Sequence, residues 1–513
     1  MKKLFPGFSW AIAFICTVGL IFMRLGAMPL MDVDEGAFAQ ATREMRATGD
    51  WIVPRLGGEP RFDKPPFIYW LQALSVWLLG ESNAAFRLPS AIAGALWALA
   101  TVFFAASFLG WQKGWASGTI LSTALMPLAI SRAATADAVL NLCLALSLFS
   151  LYLAMQGRRG FRPLFFLFLA LGVLGKGLVA LAVPLGAGFL YSASKKDLPG
   201  FFRLLSWRRG LALFFLLVLP WTLLVSWRQG DFLGGLIWHH HVERFLSPMQ
   251  GHSGPLWYYL PVLFLGVFPY SWLVPLPFLR FKEALDDDFS RFCHIWFGFV
   301  FLFFSFSQTK LPHYLLYGLT PFCMLLASSL NARVSKTLFF APLVFLAAGA
   351  LFLPALLQAL AASAWTQRQD AFAFAAAHAH GAPSWGLASL LLLCLAWLLP
   401  KSLGFLWAGA GGVAALLGWA APISWGMSGA VVEAGQAARV QEGPKVFFRI
   451  NRPSFGPACR CFFEKRPPRL GDIVLTKELY LPMAGPGEVL YQKDGIALVK
   501  MLGPRQVNGS PAP

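Results

Sequence analysis

The sequence predicts an all-α, polytopic membrane protein with about 13 transmembrane helices, followed by a small C-terminal soluble α/β domain. Two observations lead to this prediction. Of the 513 residues, 57% are hydrophobic and only 13% are charged, whereas about 25% are charged in an ordinary globular protein. The apolar residues also fall into stretches of about 20, the length that crosses a bilayer. A soluble fold could not cover so much apolar surface with so few charges, so most of the chain must be surrounded by lipid.

The first apolar stretch, residues 10–30, follows Lys2 and Lys3 and has no small-residue cleavage site. We therefore expect an uncleaved signal anchor that starts in the cytoplasm. The further predicted spans are 84–109, 115–131, 138–155, 163–176, 178–193, 210–227, 256–280, 293–307, 312–330, 337–360, 384–399 and 402–420. They define a transmembrane domain over residues 1–420.

The formal net charge is +18, which in a soluble protein would suggest nucleic acid as a partner. Here the basic residues concentrate in the short loops that are predicted to lie inside, as the positive-inside rule requires. The charge therefore orients the chain, and we expect no nucleic-acid partner. The odd number of spans places residues 421–513 outside, which is the periplasm in a bacterial cell.

Two regions differ from the short loops. Residues 31–83 form a long first outside loop in which 37–46 and 66–79 have helical spacing, so we expect helices along the membrane interface. The C-terminal region contains β-prone runs between Gly and Pro turns at 445–450, 473–476 and 497–501. Of the seven cysteines, only Cys459 and Cys461 lie in a polar region, and their spacing is too close for an easy mutual disulfide.

Three carboxylates, Asp32, Asp34 and Glu35, directly follow the first span. Ionisable residues at a membrane edge are costly unless they pair or bind something, so they indicate a functional site. The carboxylates could coordinate a cation, act as a general base, or cap the following helix. Capping alone would need only one of them.

Cations follow in other predicted outer connections. Asp63 and Lys64 precede two prolines and an aromatic pair, which fixes one cation at the interface; the alternative is a snorkelling lysine in an aromatic belt. Arg132 and Asp137 lie in one short turn, where they could form a structural ion pair. Lone lysines open two further turns and could contact lipid headgroups: these are Lys176 and Lys310.

The histidines concentrate in one connection. His239, His240 and His241 are consecutive and cannot share one face of a helix, so their spacing does not favour a metal site. His252, which stands alone before an aromatic run, is a better ligand candidate. Arg244 lies between them.

These charged residues come from six connections on one predicted face, so they can converge only if that face holds a polar cavity. Arg and Lys suit a phosphate, and carboxylates suit a hydroxyl proton or a sugar. Such a cavity beside lipid indicates an enzyme that uses a lipid-linked phosphate substrate.

The same segments resemble the GT-C glycosyltransferases, in particular the 4-amino-4-deoxy-L-arabinose lipid A transferases and the bacterial protein mannosyltransferase-like proteins (glycosyltransferase family 39/83 type). The resemblance extends over almost the whole chain. It is found in Asp34-Glu35-Gly-Ala-Phe-Ala-Gln-Ala-Thr-Arg43-Glu44, Gly49-Asp50-Trp51, Asp63-Lys64-Pro65-Pro66, 132–137, Gly175-Lys176-Gly177, 243–245, 252–259, 307–314 and 451–455.

The resemblance implies transfer of a sugar from polyprenyl (undecaprenyl) phosphate to a lipid A-type or other periplasmic acceptor, with inversion, in the bacterial inner membrane. It makes Asp34 the key catalytic carboxylate and Asp137 the second catalytic residue, the other acidic group of the cavity. With the charged residues above, the predicted substrate-binding set is Glu35, Lys64, Tyr69, Arg132, Lys176, Arg244, Lys310 and Tyr314.

In relatives a carboxylate and a histidine bind a metal ion, and here those positions are Asp63 and His252. The family residue at the first position is usually Glu, and Phe38 stands where many relatives have Tyr. The resemblance thus implies a divalent metal (Zn, Mg or Mn) as cofactor. The expected partners are a polyprenyl-phosphate-linked sugar, an acceptor and membrane lipids. We expect the protein itself to be a monomer.

Two alternatives stay open. The acceptor could be a protein Ser or Thr, as for protein O-mannosyltransferases. The chain could also belong to another class, the lipid or solute transporters. Transporters usually carry internal repeats and broken helices near the midplane, and the two halves of this sequence show no self-similarity. The crowding of charges on one predicted face also favours the enzyme.

Overall fold

The computed structural model describes residues 8–61, 63–230, 253–279, 281–330, 335–362 and 369–502. The chain forms two compact units. The first unit comprises Met1–Leu25, Phe62–Leu351 and Pro383–Gly418, and the second comprises Gly26–Arg61, Phe352–Ala382 and Trp419–Pro513.

The described residues are mostly helical. The helices up to residue 228 are α1 (Phe8–Phe22), α2 (Asp34–Thr48), α3 (Phe67–Leu79), α4 (Asn83–Leu109), α5 (Trp111–Thr123), α6 (Leu125–Ser131), α7 (Asp137–Met155), α8 (Arg162–Lys176), α9 (Val179–Ser194), α10 (Leu198–Leu205) and α11 (Arg208–Arg228). The later helices are α12 (Tyr259–Gly266), α13 (Leu276–Leu279), α14 (Phe281–Asp286), α15 (Asp288–Phe306), α16 (Leu316–Ser328), α17 (Lys336–Ala362), α18 (Gln369–Ala377), α19 (Ala382–Leu398), α20 (Lys401–Arg439), α21 (Phe455–Cys459) and α22 (Leu481–Ala484).

Among the described residues, six helices are long and apolar enough to cross a membrane, namely α4, α7, α11, α15 and most of α17 and α20. The pair α18 and α19, bent by 64°, makes a seventh if it is one broken span, and four shorter apolar helices accompany them. The predicted helical architecture with several apolar helices is confirmed, while the count of about 13 spans stays a prediction.

Several predicted spans differ from the structure: 10–30 corresponds to the shorter α1, and 256–280 is divided into short helices that include α12 and α13. Two others differ for reasons that the local sequence explains. The span 115–131 is divided at Ala124, whose backbone is extended, and Pro127 in the first turn of α6 could not continue a preceding helix. The span 402–420 belongs to the longer α20, which continues through Pro422 to Arg439; Ala, Glu and Gln among the added residues are good helix formers.

Aromatic side chains form the core of the first unit. Phe104 of α4 stacks on Phe149 of α7 with ring centroids 3.9 Å apart. The indole N–H of Trp97 donates to the Thr320 hydroxyl at 2.8 Å, and that of Trp296 donates to the Tyr317 carbonyl at 2.8 Å. Because lipid offers buried polar groups no partner, these bonds fix α16 against α4 and α15.

The second unit contains a five-stranded sheet of β3 (Lys445–Phe447), β4 (Phe463–Lys465), β5 (Ile473–Lys477), β6 (Gly487–Lys493) and β7 (Ile496–Met501), and a two-stranded ribbon of β1 (Arg55–Leu56) and β2 (Glu59–Pro60). The sheet order is β4-β3-β5-β7-β6, with β3 parallel to both neighbours and the other pairs antiparallel. The three predicted β-prone runs correspond to β3, β5 and β7, the inner strands. The two edge strands were not predicted, because they are partly charged and exposed.

Cys459 and Cys461 form a disulfide, so the prediction that they lie too close to pair is wrong. Arg460 between them has φ = 54°, in the left-handed region, and turns the chain back at the end of α21. The two Cα atoms lie 5.2 Å apart, within the range of about 4.4–6.8 Å that a disulfide spans.

Candidate active site

An ion pair at the ends of two helices forms the centre of the candidate site in the first unit. Asp137 is the first residue of α7 and Lys176 is the last residue of α8, and the lysine ammonium donates to the Asp137 carboxylate. Both side chains are 11% exposed. Gly177 has φ = 83°, a conformation that favours glycine and lets the chain turn immediately after the lysine.

Two further basic residues interact with this pair. The carboxylate of Asp137 interacts electrostatically with Lys64 and His313 as well as with Lys176. The Lys64 ammonium also donates to the Asp63 carboxylate at 3.1 Å. One buried carboxylate thus lies among several cationic or titratable groups, an arrangement that suits an incoming phosphate.

His313 was not singled out from the sequence. It lies in the Lys-Leu-Pro-His-Tyr segment that resembles the glycosyltransferases, and its ring centroid is 4.9 Å from that of Tyr314. Tyr314 in turn contacts Tyr317, whose ring lies 5.8 Å from the Lys176 ammonium. The predicted residue Tyr314 therefore belongs to an aromatic group beside the ion pair. The sequence signal that could have identified His313 was its position directly before Tyr314.

Hydrogen bonds from side chains to backbone carbonyls fix the turn that precedes Asp137. The Gln72 amide of α3 donates to the Ala134 carbonyl at 3.3 Å, and the Ser90 hydroxyl of α4 donates to the Thr135 carbonyl at 3.0 Å. The Asn141 amide donates to the Asp137 carbonyl at 2.8 Å. Each partner is buried, so the turn has one defined conformation.

Lys310 is 6% exposed and donates to the backbone carbonyls of Ser305 and Ser307, at 2.9 and 2.5 Å. Its ammonium therefore binds the carboxyl end of α15, where carbonyl groups lack helical partners. Burial lowers the pKa of this ammonium. Burial thus favours the neutral amine, whereas a nearby anion such as a phosphate would favour the charged ammonium.

Arg132 has a similar backbone contact. Its guanidinium donates to the carbonyls of Leu20 and Ile21, at 2.8 and 2.7 Å, in the last turn of α1. The sequence allowed a structural ion pair between Arg132 and Asp137, but Asp137 pairs with Lys176. Arg132 thus caps a helix, and its predicted role in binding substrate stays a prediction.

Tyr69, also predicted to bind substrate, is fully buried on α3. The two predicted metal ligands are Asp63, which is paired with Lys64, and His252, which lies outside the described residues together with Arg244. Within the part of the chain that the structure describes, no group of three or more His, Cys, Asp or Glu side chains could hold a metal ion.

The three carboxylates after the first helix lie in the second unit and have different surroundings. Glu35 is buried and accepts from the Met31 amide at 2.9 Å. Asp32 accepts two hydrogen bonds from Ser454; burial raises the pKa of its carboxyl, although the bonds from Ser454 oppose the shift. Asp34, at the start of α2, is the exposed member of the three. Of the three carboxylates it is therefore the one accessible at the surface of this unit.

The chain is similar in sequence to known transferases. Residues 63–224 match the family model described as dolichyl-phosphate-mannose-protein mannosyltransferase. The undecaprenyl phosphate-alpha-4-amino-4-deoxy-L-arabinose arabinosyl transferase of Serratia proteamaculans is 32% identical over 333 residues, covering 62% of this chain and 59% of that protein. The transferase of the same name from Aeromonas salmonicida is 34% identical over 332 residues, covering 63% and 59%. The match thus spans about 59% of the length of these relatives.

Solved structures define the fold. The crystal structure of ArnT from Cupriavidus metallidurans bound to undecaprenyl phosphate superposes with a TM-score of 0.80, covering 97% of this chain and 99% of that chain at 22% identity. The chain has the ArnT fold. The archaeal oligosaccharyltransferase AglB from Archaeoglobus fulgidus is more distant, with a TM-score of 0.52 and 10% identity over 91% of this chain and 65% of that chain. The resemblance to GT-C glycosyltransferases predicted from the motifs is confirmed.

Proposed function

We propose that this chain is an inverting membrane glycosyltransferase that moves 4-amino-4-deoxy-L-arabinose from undecaprenyl phosphate to a lipid A-type acceptor. The observation that carries the proposal is the Asp137–Lys176 pair with Lys64 and His313 around it, a cation-rich site in a chain with the ArnT fold. The names of the relatives supply the sugar and the lipid carrier. The enzyme acts as a monomer in the bacterial inner membrane, with its site on the periplasmic side.

In the proposed reaction, an acceptor oxygen forms a bond to the anomeric carbon while the bond from that carbon to the donor phosphate oxygen breaks. The leaving undecaprenyl phosphate gains negative charge, which Lys64 and Lys176 stabilise. Lys310 and Arg244 complete the phosphate-binding set, as the resemblance implies. Asp137 holds Lys176 in place and balances its charge when the donor is absent.

Asp34 is the proposed catalytic carboxylate, supported by its exposure at the start of α2. If the acceptor is a hydroxyl, Asp34 takes its proton as general base. If the acceptor is a lipid A phosphate, the nucleophile is already anionic, and Asp34 positions it.

The test incubates the purified full-length protein with a panel of polyprenyl-phosphate sugars and lipid A, and the products are identified by mass spectrometry. We expect transfer of aminoarabinose by the wild type, and none by Asp34→Asn at unchanged thermal stability. Asp286→Asn, an exposed carboxylate on α14, is the matched control and should stay active. An active Asp34→Asn enzyme would overturn the mechanism.

A second candidate has one observation in its favour, the match of residues 63–224 to the protein mannosyltransferase model. A peptide rich in Ser and Thr, tested with polyprenyl-phosphate mannose in the same assay, separates the two functions. The divalent metal also stays a proposal. Treatment with EDTA followed by Zn, Mg or Mn addition, with transfer as readout, decides whether one is required.

A further inference from the structure

The chain segment before α21 contacts the helix that starts at Asp34. Asp32 accepts hydrogen bonds from both the backbone amide and the hydroxyl of Ser454, at 2.8 and 2.6 Å. The two residues are 422 positions apart in sequence and lie in the same compact unit. A carboxylate that receives two hydrogen bonds is held in one orientation.

Two glycines allow the backbones to approach closely. A Cβ on Gly36 would lie 2.3 Å from the Ser454 nitrogen, and a Cβ on Gly456 would lie 2.2 Å from the Gln40 side-chain oxygen. Any larger residue at position 36 would collide with backbone, which cannot move aside as a flexible side chain can. The contact therefore depends on glycine at this position.

The same face of α2 is held again near its middle. The Arg43 guanidinium donates to the Cys461 carbonyl at 2.7 Å and lies 5.2 Å from the centroid of the Phe462 ring. The Cys459–Cys461 disulfide and the left-handed Arg460 form the turn that presents this carbonyl.

These contacts share one helical stripe. Positions 36, 40 and 43 follow the i, i+4, i+7 spacing of a single helix face, whereas position 34 is two residues from 36 and points elsewhere. The packing thus fixes α2 along two turns and leaves Asp34 exposed. We call this set of contacts the α2 clamp: Asp32, Gly36, Gln40 and Arg43 on one side, and Ser454, Gly456 and Cys461 on the other.

We propose that Ser454 is a positioning residue for transfer, which orients α2 through the α2 clamp so that Asp34 points at the acceptor. The proposal rests on the proposed function, in which Asp34 is the catalytic carboxylate. Catalytic groups must be held within about 0.5 Å of the productive geometry, and a misplacement of about 1 Å can lower the rate about 100-fold. The C-terminal domain therefore contributes to catalysis through a side chain that does not touch substrate.

The test uses the full-length protein with four substitutions: Ser454→Ala, Ser454→Thr, Gly36→Ala and, as matched control, Gly19→Ala on α1, where a Cβ would meet nothing within 4 Å. We expect Ser454→Ala to lower kcat about 10-fold, corresponding to one charge-assisted hydrogen bond, with the donor KM unchanged. Gly36→Ala should lower kcat further. Ser454→Thr keeps the hydroxyl and should restore the rate, and Gly19→Ala should behave as wild type.

Hydrogen exchange read by mass spectrometry provides a second readout that does not need activity. In Ser454→Ala and Gly36→Ala, amides of α2 should exchange faster, while those of β5 and β7 should not change. Unchanged exchange of α2 would overturn the clamp. Faster exchange with unchanged kcat, or a loss of kcat that follows only a loss of folded protein, would overturn the positioning role.

The two proposals can fail separately. If the wild type transfers no sugar from any lipid-linked donor, the proposed function fails, and the positioning role fails with it. Under the same conditions the exchange measurement still decides whether Ser454 holds α2. If transfer occurs and Asp34→Asn abolishes it, but Ser454→Ala is fully active, only the positioning inference is overturned.

Discussion

At the scale of single residues, the ion pair of Asp137 and Lys176 could serve stability, catalysis or both. Their carboxylate and ammonium pair at the ends of α7 and α8, and both side chains are 11% exposed. Removing one partner of a buried pair leaves an unpaired charge, which costs about 3–5 kcal/mol of stability, whereas removing both is often neutral. A single substitution at this pair would therefore confuse folding with chemistry.

The double variant Asp137→Asn/Lys176→Met resolves this. We expect Lys176→Met to lower the melting temperature and abolish transfer, and the double variant to recover the melting temperature without recovering transfer. The measurements are thermal unfolding in detergent and the donor assay. A double variant as active as wild type would show that the pair is only structural.

The sequence identified several residues of this group but not their contacts. Lys64, Asp137 and Lys176 stood out because isolated charges are rare in so apolar a chain, and the structure brings them together. Patterns along the chain cannot show which side chains face each other across helices. For this reason His313 was missed, although its neighbours Lys310 and Tyr314 were chosen.

At the scale of elements, α1 depends on Arg132. The guanidinium binds two carbonyls of the last turn of α1, Leu20 and Ile21, which no later residue of that helix can satisfy. The sequence placed Arg132 in the correct turn. It could not show this target, because the acceptors lie more than 100 positions earlier in the chain.

Arg132→Met should therefore destabilise the protein by about 1–3 kcal/mol, since buried carbonyls lose their partner, while the donor KM of the folded fraction stays unchanged. Thermal unfolding and donor titration check the two parts. Arg159→Met, an exposed arginine between α7 and α8, is the control. A raised KM at unchanged stability would instead support substrate binding by Arg132.

Asp472 is a buried carboxylate directly before β5 of the C-terminal sheet. Burial alone would raise the pKa of Asp472, but hydrogen bonds from the Arg466 side chain and the Arg469 amide lower it below its ordinary value. A carboxyl with a lowered pKa stabilises the fold above its unfolded pKa of about 3.9, and this contribution is lost as the pH falls through the folded pKa.

We therefore expect amides of β5, which begins at Ile473, to lose exchange protection as the pH falls below about 4. Asp472→Asn should be less protected at neutral pH and should lack this acid-dependent step. Hydrogen exchange corrected for the intrinsic pH dependence is the measurement. An identical pH profile in wild type and Asp472→Asn would contradict the prediction.

At the scale of the whole molecule, the sequence predicts the class of the protein better than its details. The low charge content predicted the helical membrane architecture, and the motifs predicted the ArnT fold. Helix boundaries were less predictable, because apolar composition is continuous where the backbone breaks at Ala124 and where α20 continues to Arg439. The disulfide of Cys459 and Cys461 depends on the left-handed Arg460, a conformation that sequence spacing does not reveal.

The orientation of the chain gives the last prediction. The loop between α7 and α8 is basic, as expected of a cytoplasmic loop, and the odd number of predicted spans then places the C-terminal sheet in the periplasm. Cysteine substitutions at Arg159, in the basic loop, and at Leu479, which is 77% exposed near the sheet, report the two sides. In spheroplasts, a membrane-impermeant maleimide should label Leu479→Cys directly and Arg159→Cys only after permeabilisation, with the unsubstituted chain as control for native cysteines. The reverse pattern would place the C-terminal domain in the cytoplasm, away from any periplasmic acceptor, and would exclude the proposed reaction whatever the chemistry of the site.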